Sequence, residues 1–373
     1  MSMDIQAKLG RWILYVTCGS LFAATLVGAV STTPRMTSVA TMSAERAAHQ
    51  AILLSGGVLI TGGCGGESCG TVHRSTEIFD VERNGFRASA PMTMARASHA
   101  SARLHDGRVL LAGGWTGSEA TAAAEIYDPE GDRFSRVANL SIPRIHPVAV
   151  VLQDGRVLLT GGEVRTGESL DTAEVFDPRT ETFTPVGRMT DARMNHTATV
   201  LADGRVFIAG GQRARNEILR SAEIFDPATN VFTAVDGMIS QRTKHAAVRL
   251  ADARILIISG SDERGFKGRS SSTEIFDPST STFSEGPSLS HTRHKIPDAV
   301  VVLSSGDVLV LGGARRPEIL RAGAKQFEDI EGELPGELMF ATATLLPSER
   351  VLLVGGYDAR IRSQDGAWIA TVD

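Results

Sequence analysis

Cysteine is scarce in this chain of 373 residues, which contains only three. Cys18 lies in an apolar stretch near the N-terminus, which leaves Cys64 and Cys69 for the rest of the chain. A metal site built on these two cysteines would need further ligands, and His73 alone is not enough. The net charge is −5, so the composition also lacks the basic signature of a protein that binds nucleic acid.

Residues 1–30 have the pattern of an export signal. Lys8 and Arg11 precede the apolar stretch Trp12–Val30, which ends in small residues. The stretch has about nineteen residues, so an uncleaved membrane anchor is the alternative to a cleaved signal peptide. Cys18 lies too early in the stretch to favour a lipoprotein signal. We therefore predict a secreted, periplasmic or cell-surface protein.

Cys64 and Cys69 belong to the glycine-rich segment Gly63-Cys-Gly-Gly-Glu-Ser-Cys-Gly70. In an oxidising compartment they would most simply form a small disulfide, which contributes roughly 2 kcal/mol on the chain-entropy model. The same segment matches the Gly-x-Ser-x-Gly pattern of hydrolases around Ser68. That pattern requires a turn from a strand into a helix, and no helical pattern follows here, so we do not predict catalysis by Ser68.

The dominant feature of the chain is a repeat of about fifty residues that occurs seven times. Each copy contains a short aliphatic run that ends near Gly-Gly, and five copies contain a second run about twelve residues later. The second run reads Thr76-Glu-Ile-Phe-Asp80 in the first copy and Ala222-Glu-Ile-Phe-Asp226 in the fourth. A period of this length built from strands and turns predicts a β-propeller.

One repeat can be assembled strand by strand. Strand A follows an Arg/His pair such as Arg193 and His196, and an Asp-Gly turn folds it back onto strand B. Strand B ends at Gly-Gly, strand C ends in Asp-Pro, and an aromatic residue such as Phe183 opens strand D. Each repeat is therefore predicted to be a four-stranded antiparallel blade.

This pattern of Arg, His, Gly-Gly, Glu-hydrophobic-aromatic-Asp-Pro and a downstream aromatic resembles the kelch repeat over residues 44–373. The resemblance implies an all-β, seven-bladed kelch-type propeller, with residues 31–43 as a linker or closing strand. In the sixth copy, Ala324-Lys-Gln-Phe327 is taken as the equivalent of the Glu-Ile-Phe-Asp run. Either terminus could close the ring, and we favour a fourth strand formed by Trp368–Val372 over the N-terminal segment Met36–Met42.

Two polar residue types recur with the repeat. Histidines precede successive A strands and could form a metal-binding ring around the axis. We favour instead one hydrogen-bonding role that is repeated in each blade. The histidines are His49, His99, His146, His196, His245 and His294. The glutamates of strand C are expected to pair with a repeat arginine or a backbone N–H, because a buried carboxylate must be paired; they are Glu77, Glu125, Glu174, Glu223 and Glu274.

Two classes of function remain open. The first is a non-catalytic binding scaffold for a protein, peptide or glycan. The second is a carbohydrate-active enzyme, since the kelch fold is shared by galactose oxidase and a sialic acid mutarotase. Galactose oxidase is a copper enzyme that uses two tyrosines, one of them linked to a cysteine. In this chain only Tyr127 and Tyr357 lie outside the apolar N-terminal stretch. We predict no cofactor, no catalytic residue and a monomer.

The loops between strands B and C of blades four to six are rich in cations. We predict that an anionic ligand docks on this face, because guanidinium groups bind carboxylates in a bidentate manner. The predicted binding residues are Arg213, Arg215, Arg220, Arg264, Lys267, Arg269, Arg315, Arg316 and Arg321.

Overall fold

The structure is a computed structural model that describes residues 33–164, 168–213 and 217–372, so the predicted signal segment and Arg215 lie outside the described residues. Local sequence explains how each hairpin forms. In blade four, strand Thr197–Val200 pairs with Val206–Ala209, and Asp203 in the turn accepts a hydrogen bond from the backbone N–H of Arg205. Gly204 takes a φ of 88°, which an L-residue adopts only with strain.

The described part of the chain contains strands β1 to β32, numbered in chain order. They are Arg35–Thr41, Gln50–Leu54, Gly57–Thr61, Cys64–Gly65, Thr71–Val72, Thr76–Asp80, Gly85–Ser89, Ala100–Arg103, Val109–Ala112, Ala124–Asp128, Arg133–Arg136, Val148–Val151, Val157–Thr160, Ala173–Asp177, Thr182–Pro185, Thr197–Val200, Val206–Ala209, Gln212–Arg213, Glu217–Ile218, Ala222–Asp226, Val231–Val235, Ala246–Arg249, Ile255–Ile258, Thr273–Asp277, Thr282–Glu285, Val300–Val302, Val308–Val310, Glu318–Leu320, Glu328–Asp329, Thr342–Leu345, Val351–Val354 and Gly366–Thr371. Gly265–Gly268 form a short 3-10 helix.

Seven four-stranded antiparallel sheets confirm the predicted propeller. In order from strand A to strand D, the blades are β2-β3-β6-β7, β8-β9-β10-β11, β12-β13-β14-β15, β16-β17-β20-β21, β22-β23-β24-β25, β26-β27-β28-β29 and β30-β31-β32-β1. Two-stranded ribbons, β4-β5 and β18-β19, extend the B–C loops of blades one and four.

The N-terminal strand closes the ring, so our preference for the C-terminal strand was wrong. β1 pairs along β32, with Arg35 opposite Thr371, and β32 pairs on its other side with β31. Gly366–Thr371 therefore takes the place of strand C, and the N-terminal segment supplies strand D. Because β31 occupies one edge of β32, the other edge is the position of strand D, and β1 fills it.

Blade six also differs from its prediction. Its strand C is β28, Glu318–Leu320, and not the segment around Ala324–Phe327. Glu318 is fully buried and pairs with Arg293 at 2.7 Å, as the strand C glutamate does in the earlier blades. The sequence hid this strand because Glu-Ile-Leu lacks the aromatic-Asp-Pro ending of the other copies.

The Gly-Gly pairs lie where neighbouring blades touch. A Cβ on Gly161 would lie 2.3 Å from the carbonyl oxygen of Arg193, in the next blade. The N–H of Gly162 donates to that same carbonyl at 2.9 Å. The first glycine thus permits close approach of two blades, and the second supplies a main-chain hydrogen bond between them.

The apolar core is divided among the interfaces between blades. Between blades three and four, Leu158 and Val175 pack in one cluster with Val206 and Phe225, and none of the four is more than 4% exposed. Burial of each large side chain contributes about 1.5–3 kcal/mol, so every blade is stabilised mainly by its neighbours. Closure of the ring by β1 gives the last blade the same support.

The disulfide between Cys64 and Cys69 is present, as predicted. It spans the β4-β5 ribbon, where Ser68 has a φ of 54° and is followed by a strand rather than a helix. No helix among residues 33–164, 168–213 and 217–372 is long and apolar enough to cross a membrane.

Candidate functional site: an axial funnel

The repeated arginines and glutamates form buried ion pairs within blades one to six. Arg96 and Glu125 are typical: their side chains are 0% exposed and lie 2.9 Å apart. The second carboxylate oxygen of Glu125 accepts a hydrogen bond from the N–H of Thr93, in the connection that enters the blade. The expected pairing of these glutamates is confirmed, and its role is structural.

Blade seven replaces this ion pair with apolar side chains. Trp368 takes the register position of the glutamate, opposite Leu353 of strand B, and Leu338 takes that of the arginine. Both belong to one buried cluster. The blade therefore keeps its packing without a buried charge.

Four of the six histidines share one structural role. Their Nε2 atoms lie 2.8–3.0 Å from a threonine hydroxyl of the preceding blade; the pairs are His49–Thr342, His99–Thr61, His196–Thr160 and His245–Thr197. Burial lowers the pKa of His49 and of His245 to about 3, so the rings are neutral at physiological pH. These histidines join blades.

His146 and His294 do not share that role, so placing them in the same repeat position was wrong. Pro147 and Ile296 occupy the equivalent position in blades three and six. His146 lies one residue earlier, where its ring stacks on Phe340 with the centroids 6.3 Å apart. His294 is buried two residues before Ile296.

An inner ring of seven residues, one per blade, surrounds the axis. Its members stand two residues after the repeat arginine or its substitute, and all have a φ between 51° and 58°; they are Ala48, Ser98, His146, Asn195, Lys244, Lys295 and Phe340. Main-chain hydrogen bonds link neighbours around the ring, including Ser98 N–H to Ala48 carbonyl at 2.8 Å and Lys295 N–H to Lys244 carbonyl at 2.8 Å. The backbone is thus fixed while the side chain is free to differ in every blade.

An outer ring follows the Gly-Gly pairs. Each member forms a β-bridge with the residue that precedes an inner-ring residue, and the ring contains Cys64, Trp115, Glu163, Gln212, Ser261 and Tyr357. We call the concave surface made by the inner and outer rings the axial funnel. A cavity of about 230 Å³ on the axis is lined by inner-ring residues such as Ser98, Asn195 and Phe340, and by Asp298.

Cations gather on one side of this funnel. Lys244 and Lys295 are consecutive members of the inner ring, and both are half-buried. Burial lowers the pKa of Lys295 to about 8, and the positive charge of Lys244 lowers it further, against the opposing effect of Glu337. Burial likewise lowers the pKa of Lys244, with Glu163 opposing it.

Aromatic and carboxylate groups complete the site. Lys295 Nζ donates a hydrogen bond of 2.7 Å to the hydroxyl of Tyr357, and it lies 5.0 Å from the centre of that ring and 5.8 Å from that of Phe340. Asp298 is exposed on the wall of the axial cavity, and the protein groups packed around the cavity raise the pKa of its carboxyl to about 6. The side chain of Gln50 donates to Asp298 and accepts from Ser101 at 2.9 Å.

Leaving aside Arg215, the predicted binding cations in the described part of the chain do not form one patch. Arg220, Arg264 and Arg269 line a cleft of about 470 Å³ on the loops of blades four and five. Arg264 pairs with Asp262, and Arg269 pairs with Glu337 at 2.9 Å. Exposed carboxylates also pair with Arg213, Arg315 and Arg316, while Lys267 is exposed.

The assignment of Arg321 to this face was wrong. It follows strand β28 and pairs at 2.9 Å with Asp307, which lies in the A–B turn on the opposite face of the propeller. The misplacement of strand C in blade six caused the error, because Arg321 was counted before that strand instead of after it.

Sequence reasoning missed Lys244, Lys295, Phe340 and Glu163. A signal was present: the position two residues after the repeat arginine differs in nearly every copy, although the positions around it repeat. A variable position fixed by invariant neighbours is where a propeller can change its binding properties without changing its fold.

The residues present do not fit the copper centre that the galactose oxidase likeness would imply. Cys64 is engaged in the disulfide and cannot be linked to a tyrosine. Tyr127 is buried in blade two, where its hydroxyl donates to Asp132 at 2.9 Å. Among the described residues, no three or more His, Cys, Asp or Glu side chains are grouped to hold a metal ion.

Comparison with known proteins agrees with this architecture. A family model described as the kelch motif matches residues 96–141, 144–190 and 193–239. The chain thus contains three kelch repeats within a seven-bladed β-propeller. No curated protein sequence matches it.

Among solved structures, the chain is similar to a fungal alcohol oxidase of the AA5 family in complex with copper. The TM-score is 0.69 at 15% identity, over 92% of this chain and 76% of the other. Identity this low establishes the shared fold and nothing about the reaction.

Proposed function

We propose that this protein is an exported, non-catalytic binding propeller whose axial funnel holds the anionic group of a protein, peptide or glycan ligand. The observation that carries the proposal is the placement of Lys244 and Lys295 side by side in the inner ring. Two half-buried ammonium groups destabilise each other, and such pairs persist where they serve a function. An anion bound between them would relieve that repulsion.

The surrounding charges favour an anion further. Burial and the cations Lys295, Arg269 and Lys244 together lower the pKa of His294 to about 3, so positive charge dominates around this buried ring. Burial raises the pKa of Glu163, which is consistent with a carboxylate that only partly balances Lys244. A carboxylate ligand is therefore better matched to this site than a cation.

Neighbouring groups suit a ligand larger than a simple ion. Ser98 and Asn195 offer neutral hydrogen-bonding groups on the axis, and Phe340 offers an aromatic face. The cleft with Arg220 and Arg269 lies on the same face, so it can contact parts of a ligand beyond the funnel. The disulfide supports the exported location, because such bonds persist in oxidising compartments.

Calorimetric titration with glucuronate and with a hexaglutamate peptide tests the proposal, with glucose as the neutral comparison. Replacing Lys244 and Lys295 by Met together should weaken binding of the acidic probes at least about tenfold, equivalent to about 1.4 kcal/mol. The matched control replaces the exposed Lys325 by Met and should bind normally. Equal affinity of the double variant and this control, or no binding of either acidic probe, would overturn the proposal.

The wider cationic face is tested separately by changing Arg213, Arg215, Arg315 and Arg316 to Ala. If these residues add long-range attraction, affinity for hexaglutamate should fall and its dependence on salt should flatten. Unchanged affinity with an intact circular dichroism spectrum removes this face from the binding site and leaves the funnel.

The alternative function is a carbohydrate-active enzyme, favoured by the likeness to the AA5 alcohol oxidase. Because the tyrosine and cysteine residues do not fit its copper centre, we expect no hydrogen peroxide release from galactose in the presence of copper. Peroxide formation with stoichiometric copper would replace the binding proposal with the enzymatic one.

A further inference from the structure

Lysine is rare in this protein, and its distribution is uneven. The chain has five lysines, and Lys8 lies in the N-terminal segment. Lys267 and Lys325 are exposed, whereas Lys244 and Lys295 are adjacent in the axial funnel. Arginine serves as the ordinary surface cation throughout the rest of the chain. The two cations of the inner ring are therefore lysines, which can lose a proton when partly buried, whereas arginine cannot.

The amine of Lys295 is held in a defined place. The N–H of this residue donates to the carbonyl of Lys244, and its own carbonyl accepts from Phe340 at 2.8 Å. The side chain reaches the Tyr357 hydroxyl at 2.7 Å. Burial raises the pKa of the Tyr357 hydroxyl, so this group stays protonated and can donate a hydrogen bond to an oxygen that reacts at the amine.

Its surroundings favour the neutral amine. Lys244 lies beside it, and Arg269 and Lys244 are close enough to affect His294 as well. Glu337 opposes this effect but is itself paired with Arg269. A lysine next to another cation and partly withdrawn from water is the arrangement that activates amines as nucleophiles.

We propose that Lys295 forms a reversible imine with the carbonyl group of a 2-oxo acid whose carboxylate lies against Lys244. The choice of ligand follows from geometry: the two lysines are consecutive in the inner ring, so the carbonyl and carboxylate must be close together in the ligand. This inference rests on the proposed anion-binding function of the funnel and specifies the ligand class.

The reaction balances without an oxidant or reductant. The nitrogen lone pair of neutral Lys295 attacks the carbonyl carbon, a C–N bond forms as the C=O π bond breaks, and one proton passes from the nitrogen to the oxygen. The nitrogen lone pair then forms the C=N bond as the C–O bond breaks, and the second nitrogen proton leaves with the hydroxyl as water. Tyr357 is placed to donate a hydrogen bond to the departing oxygen. Addition of water reverses each step and releases the ligand.

Borohydride reduction in the presence of pyruvate tests the inference on the intact protein. Reduction should leave an adduct on Lys295 with the mass of pyruvate, less one water and plus two hydrogens, located by peptide mass spectrometry. Lactate, which has no carbonyl, should give no adduct. Acetone, a methyl ketone like pyruvate but without a carboxylate, should label Lys295 much more slowly than pyruvate. Exposed Lys267 and Lys325 report the background reaction within the same sample.

Four variants separate chemistry from folding. Lys295→Met should lose the adduct, while the matched variant Lys325→Met should keep it. Lys244→Met should raise the pKa of Lys295 and slow trapping at neutral pH by about tenfold for each unit of the rise. Tyr357→Phe should slow trapping without abolishing it.

The outcomes distinguish this inference from the function on which it rests. Pyruvate and lactate binding without an adduct at Lys295 would refute imine formation and leave the anion site intact. Equal labelling of Lys267, Lys295 and Lys325 would also refute it. If neither carboxylate binds and no adduct forms, both proposals fail.

Discussion

The buried pair of Arg96 and Glu125 offers the sharpest test of what stabilises a blade. Replacing Glu125 by Ala leaves the Arg96 guanidinium, which is 0% exposed, without its counter-charge. Breaking a buried pair in this way costs about 3–5 kcal/mol. The N–H of Thr93 loses its acceptor as well, but Thr93 is exposed, so water can replace that bond. We therefore expect a loss of at least about 3 kcal/mol.

Urea unfolding followed by circular dichroism gives the measurement, with the slope of the transition checked for constancy. The matched control is Arg188→Ala, which removes an exposed pair with Asp171 and should change stability by less than about 1 kcal/mol. A second test copies blade seven, where apolar residues replace the pair. Arg96→Met combined with Glu125→Leu should be more stable than Glu125→Ala, although the carbonyls of Gly113 and Ala123 lose a donor.

The reasoning is refuted if Glu125→Ala behaves like Arg188→Ala, because the buried charge would then cost nothing. It is also refuted if the apolar double variant is less stable than Glu125→Ala. That result would mean that the contacts of the guanidinium with backbone carbonyls, and not the ion pair, determine the stability of the blade.

The remaining predictions concern titration and the disulfide. His245 stays neutral in the folded state to a pH of about 3, whereas in the unfolded state it takes up a proton as pH falls below about 6.5. The free energy of unfolding should therefore decline with acidification, and His245→Gln should reduce that decline in urea titrations. Lys295→Met should stabilise the protein below about pH 8, where the folded state holds a charged, partly buried amine. This gain in the free energy of unfolding should shrink as pH rises toward the unfolded pKa of about 10.5, and a gain that is independent of pH would contradict the prediction. Replacing Cys64 and Cys69 by Ser together should lower the free energy of unfolding by roughly 2 kcal/mol, and an unaltered urea midpoint would show that the loop is already ordered without the bond.

Much of the architecture could be predicted from short-range pattern. The seven copies, the Asp-Gly turns and the Gly-Gly pairs define hairpins within single blades, and local hydrogen bonds set their register. The disulfide between Cys64 and Cys69 was predictable for the same reason, since only five positions separate its partners. The pairing of Glu125 with Arg96 was expected because a buried carboxylate requires a partner.

Other features depend on residues that meet only when the ring closes. The pairing of Arg35 with Thr371 joins the two ends of the described chain, and no local pattern distinguishes β1 from a linker. The funnel is of the same kind, because Lys295 and Tyr357 come from different blades and their contact is set by the backbone ring around the axis. The sequence by itself determined the blade, because its hydrogen bonds and turns are local. The tertiary structure alone decided which side chains meet on the axis, because that depends on how many blades close the ring and which strand completes it.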